Sequence, residues 1–165
     1  MIAKVEDWLR VNFPSWEQLG DVEKENIRDF PVLWALFELK ATDTQARVPT
    51  IISAVESLEH YEERAATEAA VFHFSERYHS DPLAVDRLQN LKLCGKAEPI
   101  VTPVISGAPV NPKERLTAIL LIIHRLRNNF LHGEKAKYGY HDQLDNFQVS
   151  NKVLMEVIPL WEGHA

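Results

Sequence analysis

Apolar residues recur at spacings of three and four along most of this chain, and the strict alternation of a half-buried strand is nearly absent. Residues 3 to 13 form one such pattern, a short amphipathic helix ended by Pro14. The stretch "GDVEKENIRDFPVLWALFELKAT" predicts a longer helix with Asp21 as its cap. Its inward positions are Val22, Ile27, Phe30, Leu33, Trp34 and Phe37, with Ala41 at the margin. Pro31 falls inside it, where a ring without a backbone donor predicts a kink or a break. "PTIISAVESLEHYEERAATEAAVFHFSERYH" reads as one long helix or two abutting ones, and "SDPLAVDRLQNLKL" as a further short helix.

The pattern breaks over residues 95 to 112, "GKAEPIVTPVISGAPVNP". Four prolines and two glycines oppose a helix there, and "IVTPVIS" makes at most short extended segments. One long Pro-rich loop is expected, serving either as a binding or lid element or only as a span between distant helix ends. Helical spacing resumes in "NPKERLTAILLIIHRLRNNFLHG", with Asn111 as cap, Pro112 in the first turn and Gly133 as terminator. A last helix, over about 142 to 162, carries Leu144, Phe147, Val153, Leu154, Val157, Leu160 and Trp161 inward. The expected fold is a single all-α domain over residues 1 to 165, a helical bundle with short accessory helices and the one long loop.

Composition adds limits more than content. With 45% apolar and 25% charged residues, a chain of 165 residues is ordinary for one domain with its own core. The single cysteine, Cys94, excludes an intrachain disulfide and reads as a small buried apolar residue in a reducing compartment. "MIAKVEDWLR" places charges where a signal peptide needs an apolar stretch, and the longest apolar run, 116 to 123, is too short for a bilayer. A soluble cytoplasmic protein with no membrane partner is expected. The net charge of −6 argues against indiscriminate binding of nucleic acid. Between positions 113 and 137, however, Lys113, Arg115, Arg125, Arg127, Lys135 and Lys137 stand against only Glu114 and Glu134, a local balance of about +4. Either a local anionic ligand or an ordinary solvated helix face accounts for that balance.

The densest chemistry is "RLRNNFLHGEK", residues 125 to 135. Leu116, Ile119, Leu120, Ile123 and Leu126 share an arc of about 100° on a helical wheel, and Arg127 falls inside it while Arg125 points away. A guanidinium on an apolar stripe is costly unless paired, or set beside a ligand or a subunit boundary. Asn128 and Asn129 are poor helix formers in the last turn, and His132 directly precedes Gly133. In an unbroken helix Arg127 and His132 stand about 140° apart, and ending the helix near Gly133 brings the ring toward the guanidinium. A fixed cation, a titratable ring and amide donors within one turn suit phosphate chemistry. Glu38, on the helix bearing Trp34 and Phe37, is a candidate for orienting Arg127 or else a plain exposed carboxylate.

"RLRNNFLHGEK" after an apolar helix resembles the Arg-x4–6-His signature of the HEPN superfamily in its Arg-Asn-x-x-x-His form. "ENIRDFPVLWALFE" resembles the upstream helix of bacterial members whose motif ends in His-Gly. The resemblance implies a small helical bundle, usually a homodimer whose two motifs face one cleft. It implies a metal-independent, cofactor-free endoribonuclease of toxin or phage-defence type, with RNA as partner and an antitoxin or regulatory protein as a further one. Other members are non-catalytic RNA-binding, nucleotide-binding or protein-interaction modules. By the resemblance, Arg127 and His132 match the catalytic pair and Asn128 the polar residue beside the Arg. Asn129, Lys135, Lys137 and Arg125 are the neighbouring candidates for substrate binding. Glu134 stands where members modified by a partner nucleotidyltransferase carry Tyr.

Other constellations are weaker. A dimetal carboxylate bundle needs Glu-x-x-His on two helices and only Glu76 with His79 fits, so no metal is expected. His60, His73 and His124 read as packing or surface histidines. "ESLEHYEER" reads as a solvated acidic face. Trp8, Trp16, Trp34 and Trp161 are too dispersed along the chain for a stacking platform and read mostly as core.

Overall fold

The computed structural model describes residues 4–131, 133 and 140–162, and among these every regular element is helical. The α-helices are α1 (Val5–Asn12), α2 (Asp21–Thr42), α3 (Val48–Glu56), α4 (Ala65–Ser75), α5 (Ala84–Leu91), α6 (Ala97–Ile105), α7 (Pro112–Leu131) and α8 (Leu144–Val157). Short 3-10 turns lie at Pro14–Gln18, His141–Gln143 and Ile158–Trp161, and a π turn at Glu76–Ser80 extends α4. Among the described residues no helix is long and apolar enough to cross a membrane.

α7 is the axis of the bundle. Every residue from Leu116 to Ile123 is buried, so the helix is enclosed on all sides and not along one stripe alone. α3, α4, α5 and α6 pack around it, while α8 packs on α2 and α4. Both ends of α7 follow from the sequence. Asn111 Oδ1 accepts the Glu114 backbone N–H at 2.9 Å, and the Glu114 carboxylate accepts the Asn111 N–H at 2.7 Å. This is a reciprocal capping box. At the other end Gly133 has φ +74°, a backbone region that a residue without Cβ enters at little cost.

Five expectations need correction. Residues 95–112 are not a long loop, because α6 occupies Ala97–Ile105. Pro99 sits in its first turn, where the missing N–H had no helical acceptor to meet. Pro103 is interior and costs about 3 kcal/mol. Against that, Ala97, Val101, Val104 and Ile105 fall at helical spacing and are all buried. Full burial of a Val or Ile side chain contributes about 1.5–3 kcal/mol, so three of them outweigh one proline. Second, Pro31 does not break α2, which continues through it as a single helix, and its cap is Gly20 and not Asp21, which is its first residue. Third, α3 and α4 do not abut, because residues 57–64 are non-helical. α4 starts where the Glu156 carboxylate of α8 accepts the Ala66 and Thr67 N–H groups at 3.0 and 3.1 Å. That cap comes from the far end of the chain, and no local pattern announces it. Fourth, Val22 is exposed instead of inward. Fifth, Cys94 is exposed instead of buried.

Candidate functional site

Near its C-terminus α7 emerges from the core, and Arg127 and Asn128 stand half-buried at the edge. The Arg127 side chain is 32% exposed, so it is not sealed in the apolar arc that the wheel suggested. Its Nη1 donates to Asn128 Oδ1 at 3.0 Å, and its Nη2 lies 4.0 Å from Glu38 Oε1. That carboxylate oxygen also accepts the Trp34 indole N–H at 2.9 Å. Trp34 in turn stacks on His124, centroid to centroid 5.7 Å. The His124 Nε2 lies 3.5 Å from the Asn128 amide nitrogen, a long contact. Trp34, Glu38, Arg127, Asn128 and His124 thus form a closed ring of contacts between α2 and α7, fixing the guanidinium from two directions. Burial is the main reason the His124 pKa is lowered, with the Arg125 and Arg127 charges adding to it and Glu38 opposing. The ring is therefore neutral near pH 7.

The other sequence candidates divide. Arg125 and Asn129 face away from Arg127 and hold α5. Arg125 Nε donates to the Leu91 carbonyl at 3.2 Å, and the Asn129 amide donates to the Asn90 carbonyl at 3.3 Å. Arg125 Nη2 and Asn129 Oδ1 are joined at 3.3 Å, and Asn129 is buried. These carbonyls end α5 and have no partner within the helix, so the pair acts as a cap supplied by α7. His132, Lys135 and Lys137 lie outside the described residues, as does Glu134. Glu38, singled out only as a candidate, is the one charged group facing the Arg127 fork among the ion pairs described.

A second feature escaped the sequence reading. Trp8 and Trp16, dispersed along the chain, come together with Phe13, Phe130 and Tyr140 around a groove of about 420 Å³ between α1, α2 and α7. Trp16 is buried at its floor, whereas Trp8 is 58% exposed, so Trp8 is not a core residue. Pro31, the interior proline of α2, also lines the groove. Only the three-dimensional path of the 12–20 turn brings these rings together, and no spacing in the sequence marks it. Trp34 and Trp161 are core, as read.

Further polar residues serve the bundle. Asp142 bridges Arg77 and Arg87 at 2.8 and 3.1 Å, joining the π turn and α5 to the start of α8. His73 is half-buried, its Nε2 2.8 Å from Asn146 Oδ1. Burial lowers its pKa, with the Asn146 hydrogen bond acting the other way. Among the described residues no three His, Cys, Asp or Glu side chains converge as a metal site would need. Comparison with known proteins finds no family model, no curated protein and no solved structure that matches this chain.

Proposed function

We propose that this chain is a metal-independent endoribonuclease of toxin or phage-defence type, acting in the cytoplasm as a homodimer of HEPN-like subunits. The observation that carries the reading is the held guanidinium of Arg127, presented at a helix end five residues before His132. In this mechanism a base takes the 2′-hydroxyl proton and the 2′-oxygen attacks the adjacent phosphorus. An acid then gives a proton to the departing 5′-oxygen. The products are a 2′,3′-cyclic phosphate and a 5′-hydroxyl. One His132 from each subunit supplies the base and the acid, and Arg127 stabilises charge on the phosphorane. Asn128 and Glu38 orient the guanidinium. Arg125 and Asn129, engaged with α5, are left out of substrate binding, and Lys135 and Lys137 remain its candidate phosphate contacts.

Exposed apolar side chains on α2 and at the end of α7 support the homodimer. Val32, Leu36 and Leu39 are exposed together on the outer face of α2, and Leu131 is exposed one turn beyond Arg127 on α7. Three exposed apolar side chains on one helix face are a surface that a second subunit could cover. An antitoxin or regulatory protein would compete for the same face.

One observation favours a second reading, a non-catalytic module that binds RNA, nucleotide or protein. Arg127 already has Asn128 and Glu38 as neighbours within one chain, so it needs no substrate to balance it. Purified protein and His132→Ala, incubated with mixed RNA in EDTA, separate the two. The enzyme reading requires cleavage by the first and a loss of about 10²-fold or more in the second. Binding without cleavage leaves the module.

A further inference from the structure

We propose that the aromatic groove between α1, α2 and α7 seats one unstacked nucleobase of single-stranded RNA, next to the phosphate engaged by Arg127. This rests on the RNA reading above and assigns its recognition subsite.

The groove and the guanidinium share an edge of α7. Phe130 follows Arg127 by three residues, and side chains so spaced are neighbours, about 5–6 Å apart at Cβ. On α2 the groove reaches Pro31, one turn before Trp34 of the Arg127 ring. A nucleotide whose phosphate meets Arg127 therefore has its own base, or its neighbour's, within reach of the rings.

The lining suits a base better than a phosphate. Its surface is mostly apolar, half of its lining residues are aromatic, and every base presents a π face to such rings. The nearby cations are already occupied. Glu6 accepts from Trp16 Nε1 at 3.1 Å, from Lys24 at 3.3 Å and from Arg28. Lys24 and Arg28 also lie over the Trp16 ring, at 5.8 and 5.5 Å from its centroid. Apolar floor, a rim whose two cations share the one Glu6 carboxylate, and an adjacent guanidinium thus complement a flat base joined to an anionic phosphate. At about 420 Å³ the groove is within the range of pockets that enclose small ligands. Asn12 at its border donates one amide N–H to the Trp8 carbonyl at 2.8 Å and keeps its second N–H and its Oδ1 for a base edge.

Trp8 is the residue to test, because its exposure leaves the core intact when it is cut back. Binding of a fluorescein-labelled 12-nucleotide RNA is measured by anisotropy in EDTA, in a His132→Ala background that does not cut. The same strand carrying a single abasic ribonucleotide at each position in turn is measured alongside. Trp8→Ala is expected to raise Kd about tenfold and Trp8→Phe to restore most of the loss. The salt dependence should not change, since a ring contact releases no counterions. Abasic substitution at one position should cost as much as Trp8→Ala, and nothing further in the Trp8→Ala protein. An abasic scan of the Trp8-containing protein that shows no position-dependent loss overturns the assignment, whatever Trp8→Ala does. So does an unchanged Kd in a folded Trp8→Ala protein. If in either case the otherwise native chain cuts RNA, the ribonuclease reading survives without this subsite. Neither binding nor cleavage of RNA by the otherwise native chain removes both.

Discussion

Arg127 shows how little of a residue's role its position on a wheel decides. On the wheel it belongs to the apolar arc, yet α7 leaves the core one turn before it, and its fork reaches Asn128 and Glu38 at the surface. An ion pair at 4.0 Å between partly exposed groups contributes about 0–1 kcal/mol, so Arg127 matters little to folding. Arg127→Lys should accordingly melt within about 2–4 °C of the native chain, as a change below 1 kcal/mol does in a domain of this size. On the proposed ribonuclease reading, cleavage of RNA should fall at least tenfold, because a point charge cannot bridge two phosphorane oxygens as the planar fork does. Equal activity in Arg127→Lys, by initial rate on a fixed RNA, contradicts the assigned role. Glu38→Gln separates orientation from charge. Gln keeps an acceptor for the Trp34 indole but removes a negative charge beside the phosphate position. Lower kcat with unchanged or lower KM is expected, whereas a rise in KM alone argues against Glu38 as the orienting group.

At the scale of elements, α7 and α5 are tied by groups that the sequence offered as ligand contacts. Asn129 is buried and its amide holds the Asn90 carbonyl, so Asn129→Ala leaves a carbonyl and the Arg125 fork short of a partner. A loss of about 1–3 kcal/mol in urea unfolding is expected, with kcat per folded molecule unchanged. Asn111→Ala, which opens the capping box at the other end of α7, should cost about 1 kcal/mol by the same assay. The start of α7, its terminator Gly133 and the inward set of α8 were legible because caps and helical spacing are local signals. α6 was not, since the prolines outweighed a buried set that only packing on α7 and α4 makes worth forming. Nor was the start of α4, where the cap is Glu156. The site was legible in the same proportion. Arg127 and Asn128 do share one edge, and Glu38 does face the guanidinium. That Arg125 and Asn129 belong to α5, and that Trp8 and Trp16 meet, depends on contacts between elements far apart in the chain.

For the whole molecule the telling groups are two half-buried histidines whose surroundings disfavour the charged ring. His73 lies between α4 and α8, and His124 between α7 and α2. Burial lowers both pKa values, most of all by disfavouring the charged imidazolium. Around His124 the cations Arg125 and Arg127 press in the same direction and Glu38 opposes them. Around His73, Arg77 and Arg87 add to the lowering, while the Asn146 hydrogen bond and Asp145 oppose it. With folded-state values below the unfolded one of about 6.5, the unfolded chain binds more protons in the window between them. The stability these rings contribute is complete above about pH 6.5 and declines as the pH falls through the folded values. The melting temperature should therefore drop between pH 7 and pH 5, before most carboxylates titrate. Replacing His124 by Phe keeps a flat ring on Trp34 and removes one proton-binding group. Its melting curve should be shallower across that window, and His73→Phe should flatten the remainder. A His124→Phe protein with the full native pH slope would show that His124 takes up no additional proton on unfolding.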